Sequence, residues 1–175
     1  YRTIEGQTFG WDTVITDDDA WFLDNGEGTQ LFTGSFRGVG ISTAPLHLVR
    51  VNKQTGHVTL TEICGLPNGI VANPPVVDPK RQIVVGFDSG NGVISGFDYD
   101  EDSVALRWTH EQNHACHMLL LPETGQIVTA DYRPELGCEQ VVVLDITTGT
   151  EVARVSTTSP IQSAVFPAIG PQGDI

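Results

Sequence analysis

The stretch NHACHMLLLPETG, residues 113–125, places His114, Cys116 and His117 just ahead of an apolar run. Imidazole and thiolate bind metals, and imidazole also titrates near neutrality, so metal ligation and general-base work are the chemistries to weigh. Spacing constrains the choice. Side chains alternate between the faces of a strand, so two histidines three positions apart on a regular strand point opposite ways and cannot share an ion. Only an irregular loop brings both to one metal. The pair therefore has three readings. In the first, His117 lines an internal channel and hydrogen-bonds a neighbour while His114 caps a loop. In the second, His117 contacts a ligand or acts as general base, which makes it the catalytic candidate of the chain. In the third, the two histidines form a metal site.

Other polar groupings are less specific. Asp98, Asp100 and Asp102 in DYDEDS have the alternation of a calcium loop but lack the EF-hand glycine and distal glutamate. A solvated acidic turn is the simpler reading, as it is for Asp17, Asp18 and Asp19. There is no G-x-S-x-G, no P-loop and no G-x-G-x-x-G following a strand pattern. The cysteines, Cys64, Cys116 and Cys138, are not at zinc-ribbon spacing. Cys116 and Cys138 fall on the same end of one repeat, where they pair if the protein is exported and stay reduced if it is cytosolic.

Nine basic against 22 acidic residues give a net charge of −13, and only Lys53 and Lys80 are lysines. Nucleic-acid affinity comes chiefly from lysine and arginine neutralising phosphates, so nucleic acid is excluded as a partner. No apolar run reaches the 18 or more residues of a membrane-spanning helix.

The elements that must position these groups emerge when the chain is laid on itself. LVRVNKQTGHVTL (48–60), VISGFDYDEDSVALRW (93–108) and VVVLDITTGTEVARV (141–155) each read as strand, polar turn, strand. Asn52, Asp98 and Asp145 are expected to open the three turns, at intervals of 46 and 47 residues. In phase with them run DTVITDDDAWFLDNG (12–26), PVVDPKRQIVVGFDSG (75–90) and HMLLLPETGQIVTADYR (117–133), whose second strands close on Asp24, Asp88 and Asp131. Recurrence of that aspartate in every unit points to turn stabilisation through backbone N–H groups. Four short Val- and Ile-rich strands per repeat, without helical periodicity between them, predict an all-β fold, a β-propeller of four-stranded blades.

The predicted blades are about 8–66, 70–112 and 114–160, with 162–175 starting a fourth. Residues 27–45 form a Gly- and Thr-rich insertion in blade one, expected as a long loop or an extra hairpin between its second and third strands. Three blades and one further strand are too few to close a ring, so a fragment of a larger ring is expected, with completion by partner chains as the alternative.

NPPVVDPKRQIVVGFDSGNGVISGFDYDEDSVALRW and FPAIGPQGDI resemble the quinoprotein-type, or PQQ-like, repeat: a Pro-led strand, a turn, a strand ending in Asp, a T-G turn and a terminal Trp. Thr55-Gly56 and Thr148-Gly149 keep the T-G turn, which is Glu101-Asp102 in blade two. Trp108 holds the terminal Trp place and Val155 replaces it in blade three. The resemblance implies a periplasmic or extracellular propeller that binds a protein or small-molecule ligand at its mouth. GLPNG (65–69) with GFDSGNGVISGFDYD (86–100) is similar to the gluconolactonase and regucalcin-like propellers. That likeness implies a divalent metal such as calcium, with Asn68 and His117 as its ligands in a lactonase-type hydrolase.

In a propeller the residues entering each innermost strand gather at one mouth of the central channel. By the repeat alignment these are Asp12, Asn73, His114 with His117, and Gln162, the expected ligand-binding set. The leading expectation is a binding or interaction scaffold. A metal-dependent lactonase-type hydrolase and a quinone-dependent dehydrogenase are the alternatives.

Overall fold

The computed structural model describes residues 13–24, 30–31, 40–41, 44–71, 73–113, 117–158 and 168–170. Its strands are β1 (Val14–Ile15), β2 (Asp19–Asp24), β3 (Gln30–Leu31), β4 (Gly40–Ile41), β5 (His47–Asn52), β6 (Val58–Glu62) and β7 (Val76–Asp78). They continue with β8 (Ile83–Asp88), β9 (Val93–Tyr99), β10 (Val104–Glu111), β11 (Met118–Leu121), β12 (Gln126–Arg133), β13 (Cys138–Asp145) and β14 (Glu151–Ser156). Among the described residues the only helical element is a 3-10 turn at Pro134–Leu136. The sheets are β1-β2-β5-β6, β7-β8-β9-β10 and β11-β12-β13-β14, each an antiparallel meander, and β3 pairs with β4 in a separate hairpin. The fold is all-β and of propeller type, with three blades stacked face to face.

Alternation along each strand builds two apolar layers. Trp21, Leu23, Leu46, Leu48 and Ile63 of blade one meet Val71, Val77, Val84 and Phe97 of blade two. Val85, Phe87, Ile94 and Trp108 of blade two meet Ile127, Val142, Leu144 and Ile146 of blade three. Burying one such side chain contributes about 1.5–3 kcal/mol. β8 lies between neighbours on both faces and every residue of it is buried. This is why IVVGF, up to Asp88, is a continuous run without a polar side chain where an exposed strand would alternate.

Polar ties lock the blades in register. Ser95 Oγ donates to the Ile63 carbonyl at 2.6 Å. Arg50, paired with Asp19 at 2.8 Å and lying over the rings of Trp21 and Tyr99, donates across to the Asp100 carbonyl. Arg107 Nε reaches the Thr147 carbonyl at 2.6 Å and Arg81 Nη1 the Pro122 carbonyl at 3.0 Å. Trp108 is wedged between its own sheet and the Thr148-Gly149 turn of blade three, and its indole N–H donates to the Ile146 carbonyl at 2.8 Å. The terminal Trp therefore docks blade two on blade three.

Two expectations are corrected in detail. Asn52 and Asp145 open their turns as expected: Oδ1 of each accepts two backbone N–H groups and a threonine hydroxyl, from Thr55 and Thr148. In blade two the same bonds are made by Asp100, to Asp102, Ser103 N and Ser103 Oγ. β9 runs on to Tyr99, so Asp98 is still in the strand and is free to pair with Arg107 at 2.7 Å. In blade three β12 continues past Asp131 to Arg133, so that aspartate closes no turn.

Candidate functional site

The segment joining β6 to β7 links blades one and two, and Asp88 organises it. Its Oδ1 accepts the N–H groups of Ile70, Gly90 and Asn91, and its Oδ2 accepts from Asn91 Nδ2 and the Cys64 thiol. Asn91 Nδ2 also reaches the Pro67 carbonyl at 3.2 Å, and Ser89 binds the Ile70 carbonyl through both N and Oγ. The expected turn-stabilising role of this aspartate thus extends to clamping the P-N-G loop. Asn68 stands on that loop at φ 61, with its side chain exposed. Asparagine tolerates this left-handed conformation better than most residues, which is a structural reason for its presence. Burial, the largest influence, pushes the Cys64 thiol above its ordinary pKa.

Asn73 precedes β7 and is 0% exposed. Its Nδ2 donates to the Pro74 carbonyl at 2.8 Å, and its Oδ1 has no hydrogen-bond partner among the described residues. His117 precedes β11 and is 6% exposed; burial pushes its imidazole below the ordinary pKa, toward the neutral form. β7 packs beside β11, so Asn73 and His117 stand at the entrances of adjacent inner strands. Asp12, His114 and Gln162 lie outside the described residues, as does Cys116. Among the described residues Cys64 and Cys138 form no disulfide. Among the described residues no group of three His, Cys, Asp or Glu side chains is disposed to hold a metal ion. Asn68 exposes its side chain while that of His117 is buried.

A second polar assembly was not anticipated from the sequence. Asp131, 0% exposed, accepts Arg133 Nε at 2.8 Å and Arg154 Nη1 at 2.6 Å on Oδ2. Arg154 also binds Gln140 Oε1 at 2.7 Å and both carboxylate oxygens of Glu151. The bonds to Glu151 first, then to Asp131, hold this guanidinium charged beyond its ordinary range, and the Arg154 bond holds Glu151 ionised. From blade two, Gln112 Nε2 crosses to Thr129 Oγ1 at 3.2 Å and the Ala130 carbonyl at 2.8 Å. Strand alternation carries the signal: Trp108 and His110 lie on one face of β10, with Gln112 just beyond. Chemically, an aspartate shared by two guanidiniums is an ion-pair anchor, whereas the neutral imidazole of His117 can accept or donate one hydrogen bond.

No protein-family model matches the chain. No curated protein matches it either. Among solved structures, a eukaryotic initiation factor is similar with TM-score 0.58 at 14% identity, over 89% of this chain and 34% of that one. The β-propeller domain of the trilobed protease from Pyrococcus furiosus gives 0.53 at 8% identity, over 86% and 43%. A putative 6-phosphogluconolactonase from Bacteroides uniformis gives 0.51 at 13%, over 92% and 60%. At such identities the likeness shows the propeller fold alone. The chain spans less than two thirds of the length of each of these structures.

Proposed function

We propose that this chain is part of a quinoprotein-like propeller that works as a binding or protein-interaction scaffold. Its working surface is the strand-entrance mouth together with the blade-one insertion. The observation that carries the reading is the unequal length of equivalent connections. The second and third strands are joined by residues 89–92 in blade two and 134–137 in blade three, but by residues 25–46 in blade one, which include the β3–β4 pair. A long connection on a rigid scaffold is where binding surfaces are carried. At the strand-entrance mouth, Asn73 Oδ1 and the imidazole of His117 offer polar contacts to a protein segment or small molecule, with Asp12, His114 and Gln162 as the further proposed members of that ring.

The competing reading is a metal-dependent lactonase-type hydrolase using Asn68 and His117, and a quinone-dependent dehydrogenase stands behind it. The test uses the protein at its native length, with residues 26–45 replaced by the four-residue turn of blade two, and separately with His117→Ala. Quantitative cross-linking from the native source should show at least a tenfold loss of one specific partner in the shortened variant, with the thermal unfolding midpoint kept. An unchanged partner set refutes the scaffold reading. Lactone hydrolysis that needs calcium and disappears with chelator, or quinone absorbance in the purified protein, establishes one of the other two.

A further inference from the structure

Above the apolar layer joining blades two and three, their seam becomes polar. His110 lies opposite Ile94 in the β9–β10 ladder, and Ile94 faces blade three, so the imidazole leaves β10 on the same side. Gln112 crosses the same seam. The charges that act on His110 are Glu151 and Arg154 of β14, Asp131 of β12, and Glu111 of its own strand. Arg133 shares Asp131 with Arg154, and β13 contributes the neutral Gln140 opposite Asp131. His110 Nε2 is buried without a hydrogen-bond partner among the described residues, and so are Asp131 Oδ1 and Gln112 Oε1.

Arg154 already engages both Asp131 and Glu151. The remaining oxygen, Asp131 Oδ1, makes no hydrogen bond to His110 Nε2, so a proton on His110 adds a cation to the seam with no acceptor in place for it. At the corresponding place between blades one and two, the donors to Asp88 are backbone and side-chain amides and one thiol. None of these gains a charge between about pH 5 and 7.

We propose that the seam between blades two and three is an acid-sensitive joint. Protonation of His110 loosens blade three from blade two, while the seam between blades one and two stays closed. The sign follows from burial, which is the largest influence and lowers the imidazole pKa; Glu151 pulls it back up and Arg154 pushes it down again. A group with a depressed pKa in the closed form binds its proton more tightly in the open form. The closed seam keeps its full stability above the ordinary histidine value of about 6.5 and loses it as pH falls from there toward the lower closed-state pKa.

The test places thiols in the two apolar layers of the native-length protein, as Val142→Cys between blades two and three and Val84→Cys between blades one and two. Both valines are 0% exposed. Labelling by 4,4′-dithiodipyridine, read site by site by mass spectrometry against a denatured control, should be at least tenfold faster at pH 5.0 than at pH 7.5 for Val142→Cys and unchanged for Val84→Cys. Adding His110→Gln should abolish the acid response. An equal response at both sites, a response surviving His110→Gln, or one abolished instead by His117→Gln overturns the proposal. Should the cysteine variants fail to fold, an NMR titration of His110 in the unaltered protein decides: a pKa below the ordinary value supports the joint, and one at or above it overturns it.

Discussion

Gly149→Ala should be markedly more costly than the same change at Gly56, although the two glycines occupy the same T-G turn in different blades. Both sit in the left-handed region, at φ +69 and +71, where a Cβ costs about 1–2 kcal/mol. Gly56 has nothing within 4 Å of an added Cβ, so that strain is its whole cost. At Gly149 the Cβ would lie 2.4 Å from Trp108 Cε3 and 2.5 Å from Cδ2. The indole cannot retreat. On its other side it lies against Gly96, where an added Cβ would be 2.3 Å from Cε2, and its Nε1 is bonded to the Ile146 carbonyl. Forcing an extra methyl into such packing costs about 1–3 kcal/mol more. Urea unfolding of the native-length variants should therefore give roughly 2–5 kcal/mol for Gly149→Ala and roughly 1–2 kcal/mol for Gly56→Ala. In a Trp108→Leu background the excess at Gly149 should disappear, because the ring it meets is gone. Equal costs at the two glycines in the unaltered background would refute the docking of blade two on blade three through Trp108.

Three further outcomes follow from the same contacts. Trp108→Phe keeps most of the apolar burial but strands the Ile146 carbonyl, and should cost about 1–3 kcal/mol in the same unfolding assay; a neutral result would mean that the indole bond is not made. Asp131→Asn removes the shared anchor of Arg133 and Arg154. Breaking a buried pair costs about 3–5 kcal/mol, and the lower end applies here because both arginines keep some contact with water. Asp100→Ala should lower the unfolding midpoint more than Asp98→Ala, since Asp100 holds the turn. Bonds from the Asp102 amide and from Ser103 depress its carboxyl pKa, so the turn contribution is complete above the ordinary carboxylate value and is lost as pH falls through the depressed one.

Strand periodicity made the blades legible, because alternation and turn chemistry are local properties that need no knowledge of neighbours. What it could not count was strand length. Asp98 and Asp100 are two apart and both exposed, so they occupy the same face and either satisfies the polar position that ends the third strand. The distinguishing mark lies three residues on: Asn52 with Thr55, Asp100 with Ser103 and Asp145 with Thr148 share a carboxamide or carboxylate and a hydroxyl that bond one another. Reading that pair in place of the aspartate alone puts the turn correctly. The polar seam was harder, for a different reason. β10 slips register between Leu106 and Trp108, so the face of His110 follows from Trp108 two residues before it and not from the alternation at the start of the strand. The charges that act on it, Asp131 and Arg154, are separated from it by 21 and 44 residues, so no local pattern links them. Their association is a consequence of blade stacking. A histidine that reads as an ordinary exposed-strand residue becomes a half-buried titratable group only when the next blade closes over it. The same holds for Asn73 and His117: repeat phase places them just ahead of β7 and β11, while their burial depends on residues outside either segment.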